Sequence, residues 1–315
     1  MKVRILLIIF FFFHSYFVNS GIDIPAGFGV PFDKGMYGYA DRYNSEKASE
    51  DENWQLAKQL YKTYIIDNLE FVEQPRIPKI IHQIWVGPHP FPNKCKVLQK
   101  TWKKHHPDWK YKLWTDADVK ELDLINEAAY EKAKNYGQKS DILRYEILYK
   151  YGGLYVDTDF ECFRAFDIFH HCLDFYTGIA GLSNKGAFGL INALIGCAPG
   201  HPIIKACIET MNISDKPHSS WIFNIMHTTG PAHLVRCFLK EALHGERSVA
   251  FPCGYFYPWP HHHKRQNRRH QILKWKRPET FAIHHWHCSW IHRRSIYDGQ
   301  DIFDLLFEKF YQNTV

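Results

Sequence analysis

The segment Lys139–Glu161, KSDILRYEILYKYGGLYVDTDFE, constrains the fold of this chain more than any other stretch. Its first half predicts a helix that starts directly after Ser140, because a serine can cap the helix and apolar residues recur at helical spacing. Gly152-Gly153 ends that helix, since glycine tolerates the left-handed backbone that many helix ends need. Leu154–Val156 then predicts a short buried strand with acidic residues directly after it.

Two aspartates, Asp157 and Asp159, follow the predicted strand. If strand geometry persists, Tyr155 and both aspartates point to the same side, because side chains alternate along a strand. The two carboxylates together form a site of hard oxygen ligands that suits Mg²⁺ or Mn²⁺. Either ion can bridge the phosphates of a diphosphate. On the preceding helix, Asp141 and Arg144 lie one turn apart and can act together. Asp-x-Asp alone is common in solvated turns, but this combination predicts a metal-dependent site for a diphosphate-bearing substrate.

Strands and helices alternate upstream of this segment. Lys79–Val86 predicts a core strand, Cys95–His105 a helix and Tyr111–Trp114 a second strand. This order predicts a parallel α/β sheet. Trp85, at the end of the first strand, is a candidate for stacking on a base or for core packing. His82 is a candidate for a phosphate contact, although a structural histidine is the simpler reading.

The first twenty residues predict a targeting signal, because two basic residues precede an apolar run that small residues close. That run is shorter than the roughly 20 residues that span a bilayer, so a cleaved signal is favoured over a membrane anchor. Residues 21–75 predict an N-terminal extension and a helix over Glu46–Phe71, and residues 76–315 the main domain. Near the end of that domain, Lys274–Ile283 predicts a returning strand and residues 296–311 a C-terminal helix. The signal places the chain in the lumen of the secretory pathway or outside the cell.

Composition narrows the choice of partners. The chain has 39 Lys and Arg against 33 Asp and Glu, a net charge of +6. That charge suits anionic substrates such as nucleoside diphosphates and is too weak to indicate nucleic-acid binding. Eight cysteines without a Cys-x-x-Cys permit disulfides in an exported chain and argue against a zinc ribbon. The basic segment His261–His270 is a candidate for contact with phospholipid headgroups at a membrane surface, with a solvated loop as the alternative.

Six runs in a fixed order resemble the family 32 glycosyltransferases, which carry an Asp-x-Asp motif. These runs are IPKIIHQIWVG, HPDWKYKLWTD, KSDILRYEILYKYGGLYVDTD, APGHP, TTGP and HHWHCSW, and they span roughly residues 77–291. The family includes yeast-type mannosyltransferases and is distantly similar to the glucosylating domain of large clostridial toxins. The resemblance implies a GT-A fold (a Rossmann-like, mostly parallel sheet with flanking helices), a nucleotide-sugar donor, a divalent metal ion and retention of the anomeric configuration.

The resemblance also implies roles for individual residues. Asp141 and Arg144 would hold the sugar hydroxyls and the diphosphate. Asp157 would contact ribose or metal-bound water, and Asp159 would ligate the metal ion directly. Further donor contacts would come from Trp85, Tyr155, Asn192, Ser289 and Trp290. For Asn192, a turn or helix-cap role is equally compatible with the sequence.

The sequence therefore predicts an enzyme, a retaining glycosyltransferase that requires Mn²⁺ or Mg²⁺. It would move a hexose from GDP-mannose or a UDP-hexose to a hydroxyl group of a glycan or glycolipid. His285 or His287 could add a metal ligand or a phosphate contact, although the toxin pattern has no histidine there. One alternative is a secreted carbohydrate-binding paralogue without catalysis. The presence of all four motif residues, namely Asp141, Arg144, Asp157 and Asp159, counts against it. Another is an aspartyl-phosphate hydrolase, whose pattern wants Thr or Val where Glu161 stands.

Overall fold

A computed structural model describes residues 23–180, 182, 186–213, 221–244, 246–266 and 269–287. The predicted targeting signal, Ser289, Trp290 and a C-terminal helix expected at 296–311 lie outside the described residues. Within those residues, no helix is both long and apolar enough to cross a membrane.

A six-stranded sheet lies at the centre of the described fold. Its strands are β1 (Ile80–Ile84), β2 (Lys110–Trp114), β3 (Gly153–Val156), β5 (Phe175–Ile179), β6 (Leu190–Cys197) and β7 (Ser248–Phe251). Their spatial order is β2-β1-β3-β6-β5-β7. A separate two-stranded sheet pairs β4 (Phe160–Cys162) with β8 (Ala282–His284).

The predicted α/β class is confirmed, and the sheet is mostly parallel. Strand β1 is parallel to both β2 and β3, and β5 is parallel to β7. Strand β6 is antiparallel to both of its neighbours, which is consistent with the prediction of a mostly parallel sheet. A short connection joins β5 to β6, and neighbouring strands joined in this way run antiparallel, because a parallel crossover needs a dozen or more residues.

The described α-helices cover the sheet and its edges. They are α1 (Phe32–Gly35), α2 (Ser45–Glu50), α3 (Glu52–Tyr61), α4 (Asn93–His105), α5 (Asp116–Val119), α6 (Glu127–Lys132), α7 (Tyr136–Tyr151), α8 (Asp167–Cys172), α9 (Pro202–Glu209), α10 (Trp221–Thr228), α11 (Pro231–Glu241) and α12 (Arg269–Ile272). A π-helical stretch, Lys62–Asp67, extends α3. Short 3₁₀ turns are Tyr37–Tyr39, Cys253–Tyr255, His261–Gln266 and Leu273–Trp275.

Helix α7 begins earlier than the sequence predicted. The side chain of Asn135 accepts hydrogen bonds from two backbone N–H groups of the first turn, so Asn135 is the cap and Ser140 lies inside the helix. The helix ends at Gly152 and Gly153, which have φ angles of 60° and 98°. A Cβ atom at Gly153 would lie 2.7 Å from the carbonyl oxygen of Ile80, so this close approach of β3 to β1 requires glycine.

The N-terminal segment is part of the same hydrophobic core as the sheet. The helix predicted at Glu46–Phe71 is present as α2, α3 and the π-helical stretch. Trp54 and Tyr61 are almost fully buried, and the Trp54 indole donates a hydrogen bond to the carbonyl of Gly186 at 3.0 Å. The boundary predicted between residues 75 and 76 stays a prediction.

The returning strand predicted at Lys274–Ile283 is wrong for most of its length. Only its end is extended, as β8, and it follows the 3₁₀ turn Leu273–Trp275. Pro278 lies between the two, and proline has no N–H to donate to a ladder.

Candidate active site

A cavity of about 400 Å³ opens beyond the carboxyl ends of β1 and β3. This is the edge at which open α/β sheets bind ligands. Seven of the nine residues predicted for the site line this cavity, namely Trp85, Asp141, Arg144, Tyr155, Asp157, Asp159 and Asn192. The other two, Ser289 and Trp290, lie outside the described residues.

Arg144 is the centre of a buried polar network in the cavity wall. Its Nη2 pairs with Asp141 Oδ1 at 2.9 Å, and its Nη1 donates to the carbonyl of Asn192 at 2.6 Å. The guanidinium lies 4.5 Å from the centroid of the Tyr155 ring, over its face. Its Nε is buried and has no hydrogen-bond partner among the described residues. Such an N–H is costly to bury unpaired, and a ligand oxygen would satisfy it.

Donors from three elements hold the carboxylate of Asp141. Asn192 Nδ2, on β6, donates to Oδ1 at 2.9 Å, and Thr229 Oγ1, just before α11, donates to Oδ2 at 3.2 Å. Arg144 adds the ion pair. Burial raises the pKa of Asp141 above its ordinary value, and the neighbouring guanidinium opposes that rise. A carboxylate offers about four lone-pair positions, so these donors leave room for a ligand hydroxyl.

Asp157 and Asp159 lie on a turn, so the condition that strand geometry persists through them is not met. Strand β3 ends at Val156, and the N–H of Phe160 donates to the carbonyl of Asp157 at 3.3 Å, which closes the turn into β4. Even so, Tyr155 and both aspartates line the same cavity. The Tyr155 hydroxyl donates to Asp157 Oδ1 at 2.6 Å, and burial raises the pKa of Asp157.

His284 completes this cluster, and the sequence did not predict it. The β4–β8 pairing places His284 opposite Phe160. Its Nε2 lies 2.9 Å from Asp159 Oδ1 and 4.0 Å from Asp157 Oδ2. One ligand atom from each of the three residues lies within 4.8 Å of the others. Two carboxylates and an imidazole are a donor set that fits Mn²⁺ or another divalent transition metal.

The segment after β8 holds the second oxygen of Asp159. The backbone N–H of His287 donates to Asp159 Oδ2 at 2.7 Å, and that of His285 donates to the Asp159 carbonyl at 3.0 Å. Between them, Trp286 has a φ of 52°, a left-handed conformation that costs a large residue about 1 kcal/mol or more. Although burial opposes it, pairing with His284 holds the pKa of Asp159 below its usual range.

The two histidines named from the sequence have different surroundings. The His285 imidazole lies 3.2 Å from Glu161. His287 lines the cavity, and its Nδ1 lies 3.9 Å from Asp159 Oδ2 with no hydrogen-bond partner among the described residues, so a metal or phosphate contact from this side chain stays a prediction. The sequence feature that could have pointed to His284 as a site residue is the histidine-rich run His284–His287 at the end of a strand. Which member faces Asp159 depends on the β4–β8 register, which no local pattern indicated.

Trp85 and His82, from the same strand end, have different environments. Trp85 is half-buried and lines the cavity, and its indole donates to the carbonyl of His89 at 2.7 Å. His82 is buried between β-strands, where Nε2 donates to the Gly152 carbonyl at 2.9 Å and Nδ1 accepts from Trp114 at 3.1 Å. His82 is therefore a structural histidine. Burial lowers its pKa to about 4.

A second group with metal-ligand chemistry, Cys207, His233 and Cys237, is buried between α9 and α11. Its imidazole is already engaged, because Nε2 donates to the Cys207 carbonyl at 2.8 Å and Nδ1 accepts from Arg236 at 3.3 Å. No ring lone pair remains for an ion, so this group is structural. All seven cysteines of the described residues are free and buried, so the disulfides that the composition permitted are not formed there.

The basic segment His261–His270 is partly engaged inside the protein. His261 is fully buried. Arg269 donates from Nε to the buried Glu161 at 3.0 Å. His261 is therefore not available to a membrane surface, whereas the Arg269 side chain is 64% exposed, and the phospholipid contact stays a prediction.

Residues 92–174 match the family model described as a glycosyltransferase sugar-binding region containing a DXD motif, which confirms the resemblance over that span. The chain is 33% identical over 163 residues to inositol phosphoceramide mannosyltransferase 3 of Schizosaccharomyces pombe, covering 50% of this chain and 44% of that protein. It is 32% identical over 171 residues to mannosyl phosphorylinositol ceramide synthase SUR1 of Saccharomyces cerevisiae, covering 50% and 41%.

The chain thus spans less than half the length of these two curated relatives. Among solved structures, the PaToxG glycosyltransferase is similar at a TM-score of 0.42 and 20% identity, over 65% of this chain and 79% of that one.

Proposed function

We propose that this protein transfers a hexose from a nucleoside diphosphate sugar to a hydroxyl group of a glycan or glycolipid. The premise is that residues 92–174 are the sugar-binding region of a DXD glycosyltransferase. One observation carries the proposal: three metal-ligand atoms lie within 4.8 Å of one another, in a cavity that Arg144 also lines. Asp157, Asp159 and His284 would hold a divalent cation. When bound, such a cation offsets the negative charge that grows on a departing diphosphate.

Arg144 binds the diphosphate in this proposal. Arg144 lines the cavity, and a hydrogen bond from a guanidinium to a phosphate oxygen is stronger than one between neutral groups. Its two Nη nitrogens are fixed by Asp141 and the Asn192 carbonyl. Because the guanidinium is held in place before substrate arrives, it stabilises the charge of the leaving group without reorganising.

Asp141 orients the sugar, since its carboxylate faces the cavity and three donors fix it. Trp85 stacks on or near the base, where its ring lines the cavity. Retention of configuration follows from the family resemblance. In a front-face substitution, the acceptor oxygen bonds to the anomeric carbon on the face from which the diphosphate leaves, and the acceptor proton passes to that diphosphate.

Mannose is the first sugar to test, with GDP-mannose as donor and the UDP-hexoses as alternatives. The two yeast relatives are named as an inositol phosphoceramide mannosyltransferase and a mannosyl phosphorylinositol ceramide synthase. A lipid with a phosphoinositol headgroup is therefore the first acceptor to test. The predicted targeting signal supports a reaction in the secretory-pathway lumen or outside the cell.

A donor panel tests the proposal. The purified chain is incubated with a detergent-solubilised phosphoinositol lipid as acceptor and with GDP-mannose, UDP-glucose, UDP-galactose or UDP-N-acetylglucosamine as donor. Mn²⁺ or EDTA is added, and release of the nucleoside diphosphate is measured. We expect turnover of one donor that depends on Mn²⁺, and its loss in Asp159→Asn with an unchanged circular dichroism spectrum. Failure of every donor in the presence of Mn²⁺, or a wild-type rate in Asp159→Asn, would overturn the proposal.

The same assay separates the two alternative functions. A carbohydrate-binding protein without catalysis binds a glycan and leaves every donor intact. An aspartyl-phosphate hydrolase releases inorganic phosphate from a phosphomonoester such as p-nitrophenyl phosphate and ignores the sugar nucleotides.

A further inference from the structure

Helix α4 carries an unusual charge pattern. Its thirteen residues, NKCKVLQKTWKKH, include five lysines and no acidic residue. Lys96, Lys100 and Lys104 follow one another at four-residue spacing, so they lie along one face of the helix. Lys103 lies on the same face, three residues after Lys100.

The two faces of α4 have opposite environments. Cys95, Leu98 and Trp102 are buried against the protein. The five lysines are all exposed, and Val97, beside the lysine stripe, is 62% exposed. The outer face therefore combines long cationic side chains with an exposed apolar residue, which is the pattern of an interfacial helix.

The charges of α4 are not balanced within the described structure. None of the five lysines lies within 4 Å of a carboxylate of the described residues, and Lys103 lies 4.7 Å from the centroid of the Tyr111 ring. Lys103 and Lys104, in the last turn, are favourable next to the helix dipole, but like charges at four-residue spacing destabilise a helix. An anionic partner would relieve this repulsion.

The position of α4 links this face to the cavity. Pro92, Lys94 and Cys95, at its N-terminal end, line the cavity that holds the aspartate cluster. A surface that contacts the outer face of α4 therefore lies beside the mouth of the cavity.

We infer that the lysine face of α4 (Lys96, Lys100, Lys103 and Lys104) docks on the anionic phospholipid headgroups of a membrane. Lysine stems bury apolar length while their ammonium groups reach phosphates, and Val97 adds apolar contact at the same depth. A nucleic acid would pair with the lysine charges but would leave Val97 exposed to water. This inference goes beyond the transfer reaction, because vesicle binding and sugar transfer are measured separately.

Vesicle co-sedimentation of the full chain tests the inference. The vesicles contain phosphatidylcholine alone or with 30% phosphatidylserine, at low and at 0.5 M salt. The test variant is Lys96→Gln/Lys100→Gln/Lys104→Gln, and the matched control is Lys34→Gln/Lys47→Gln/Lys120→Gln, which removes the same charge from other exposed lysines. Each lysine near an anionic surface contributes about fivefold in binding, so the test variant should bind about 100-fold more weakly.

We expect the wild type and the control to bind phosphatidylserine vesicles at low salt and to lose binding at 0.5 M salt. Equal binding of the test and control variants would overturn the inference, as would equal binding of the wild type to neutral vesicles. Binding of the wild type to heparin or RNA but not to vesicles would also overturn it. Because release of nucleoside diphosphate from the sugar donor needs no membrane, the donor panel reports failure of the proposed reaction independently.

Discussion

Nε2 of His284 lies 2.9 Å from Oδ1 of Asp159, although 125 positions separate the two residues in the chain. The antiparallel β4–β8 pairing makes this contact, because it sets His284 beside the turn that carries both aspartates. The cluster is therefore built from two distant segments. A sequence motif of two aspartates describes only part of it.

Replacing His284 with alanine should weaken Mn²⁺ binding by at least about tenfold, since losing an outer-sphere partner alone has effects of that size. Isothermal titration of Mn²⁺ into the protein with GDP or UDP present measures the affinity. His285→Ala is the matched control, because His285 faces Glu161 and not the aspartates. Equal Mn²⁺ affinity in wild type and His284→Ala would exclude His284 as a ligand.

Replacing Arg144 with lysine should lower the turnover rate by roughly 10²–10³-fold, because an ammonium cannot reproduce the fixed fork of the guanidinium next to the diphosphate. Steady-state rates with the active donor give the comparison. Arg164→Lys is the control, since Arg164 donates to the carbonyl of Ala26, and neither residue lines the cavity. A rate within threefold of wild type in Arg144→Lys would contradict the role assigned to this residue.

Replacing Gly153 with alanine should lower the free energy of unfolding by roughly 2–4 kcal/mol, because φ is +98° and the new Cβ would lie 2.7 Å from a backbone oxygen. Gly200→Ala is the matched control, with a φ of +74° and no atom within 4 Å of the new Cβ. We expect a loss of about 1 kcal/mol there. Urea denaturation measures the free energy of unfolding of both variants. Equal losses would show that the close approach of β3 to β1 does not exclude a side chain at position 153.

The sequence predicted most of the site because its residues are local. Asp141 and Arg144 are one turn apart, and Asp157 and Asp159 are two positions apart, so short-range spacing already indicated each pair. The cavity brings both pairs together, because β3 follows directly from α7 through the two glycines.

The sequence could not indicate features that depend on distant pairing. The direction of β6 and the position of His284 are set by strand registers. The start of α7 was also missed. Gly137 in its first turn suggests a loop, but the capping bonds of Asn135 compensate for the low helix propensity of glycine.

The buried, neutral His82 should make the protein less stable in acid. Its pKa is about 4 in the folded protein against an ordinary value of 6.5, so between these values the unfolded chain binds a proton that the folded chain does not. The free energy of unfolding should therefore fall as pH drops from 6.5 to 4, by up to roughly 3 kcal/mol from this histidine. Above pH 6.5 this contribution is constant.

Urea denaturation at several pH values measures the trend. His82→Gln should lower stability at neutral pH and reduce the slope without abolishing it, because burial also lowers the pKa of His106, His170 and His201. An unchanged slope in His82→Gln would show that His82 is not protonated on unfolding.

The central claim is that Asp157, Asp159 and His284 hold a divalent cation that helps this cavity bind a nucleoside diphosphate. Isothermal titration of GDP and UDP into the wild type and Asp159→Asn, with Mn²⁺ or with EDTA, tests it most directly. We expect at least one of the two nucleotides to bind the wild type at least tenfold more tightly with Mn²⁺ than with EDTA, and this gain to disappear in Asp159→Asn. Equal affinity of the wild type with and without Mn²⁺ for both nucleotides would contradict the claim.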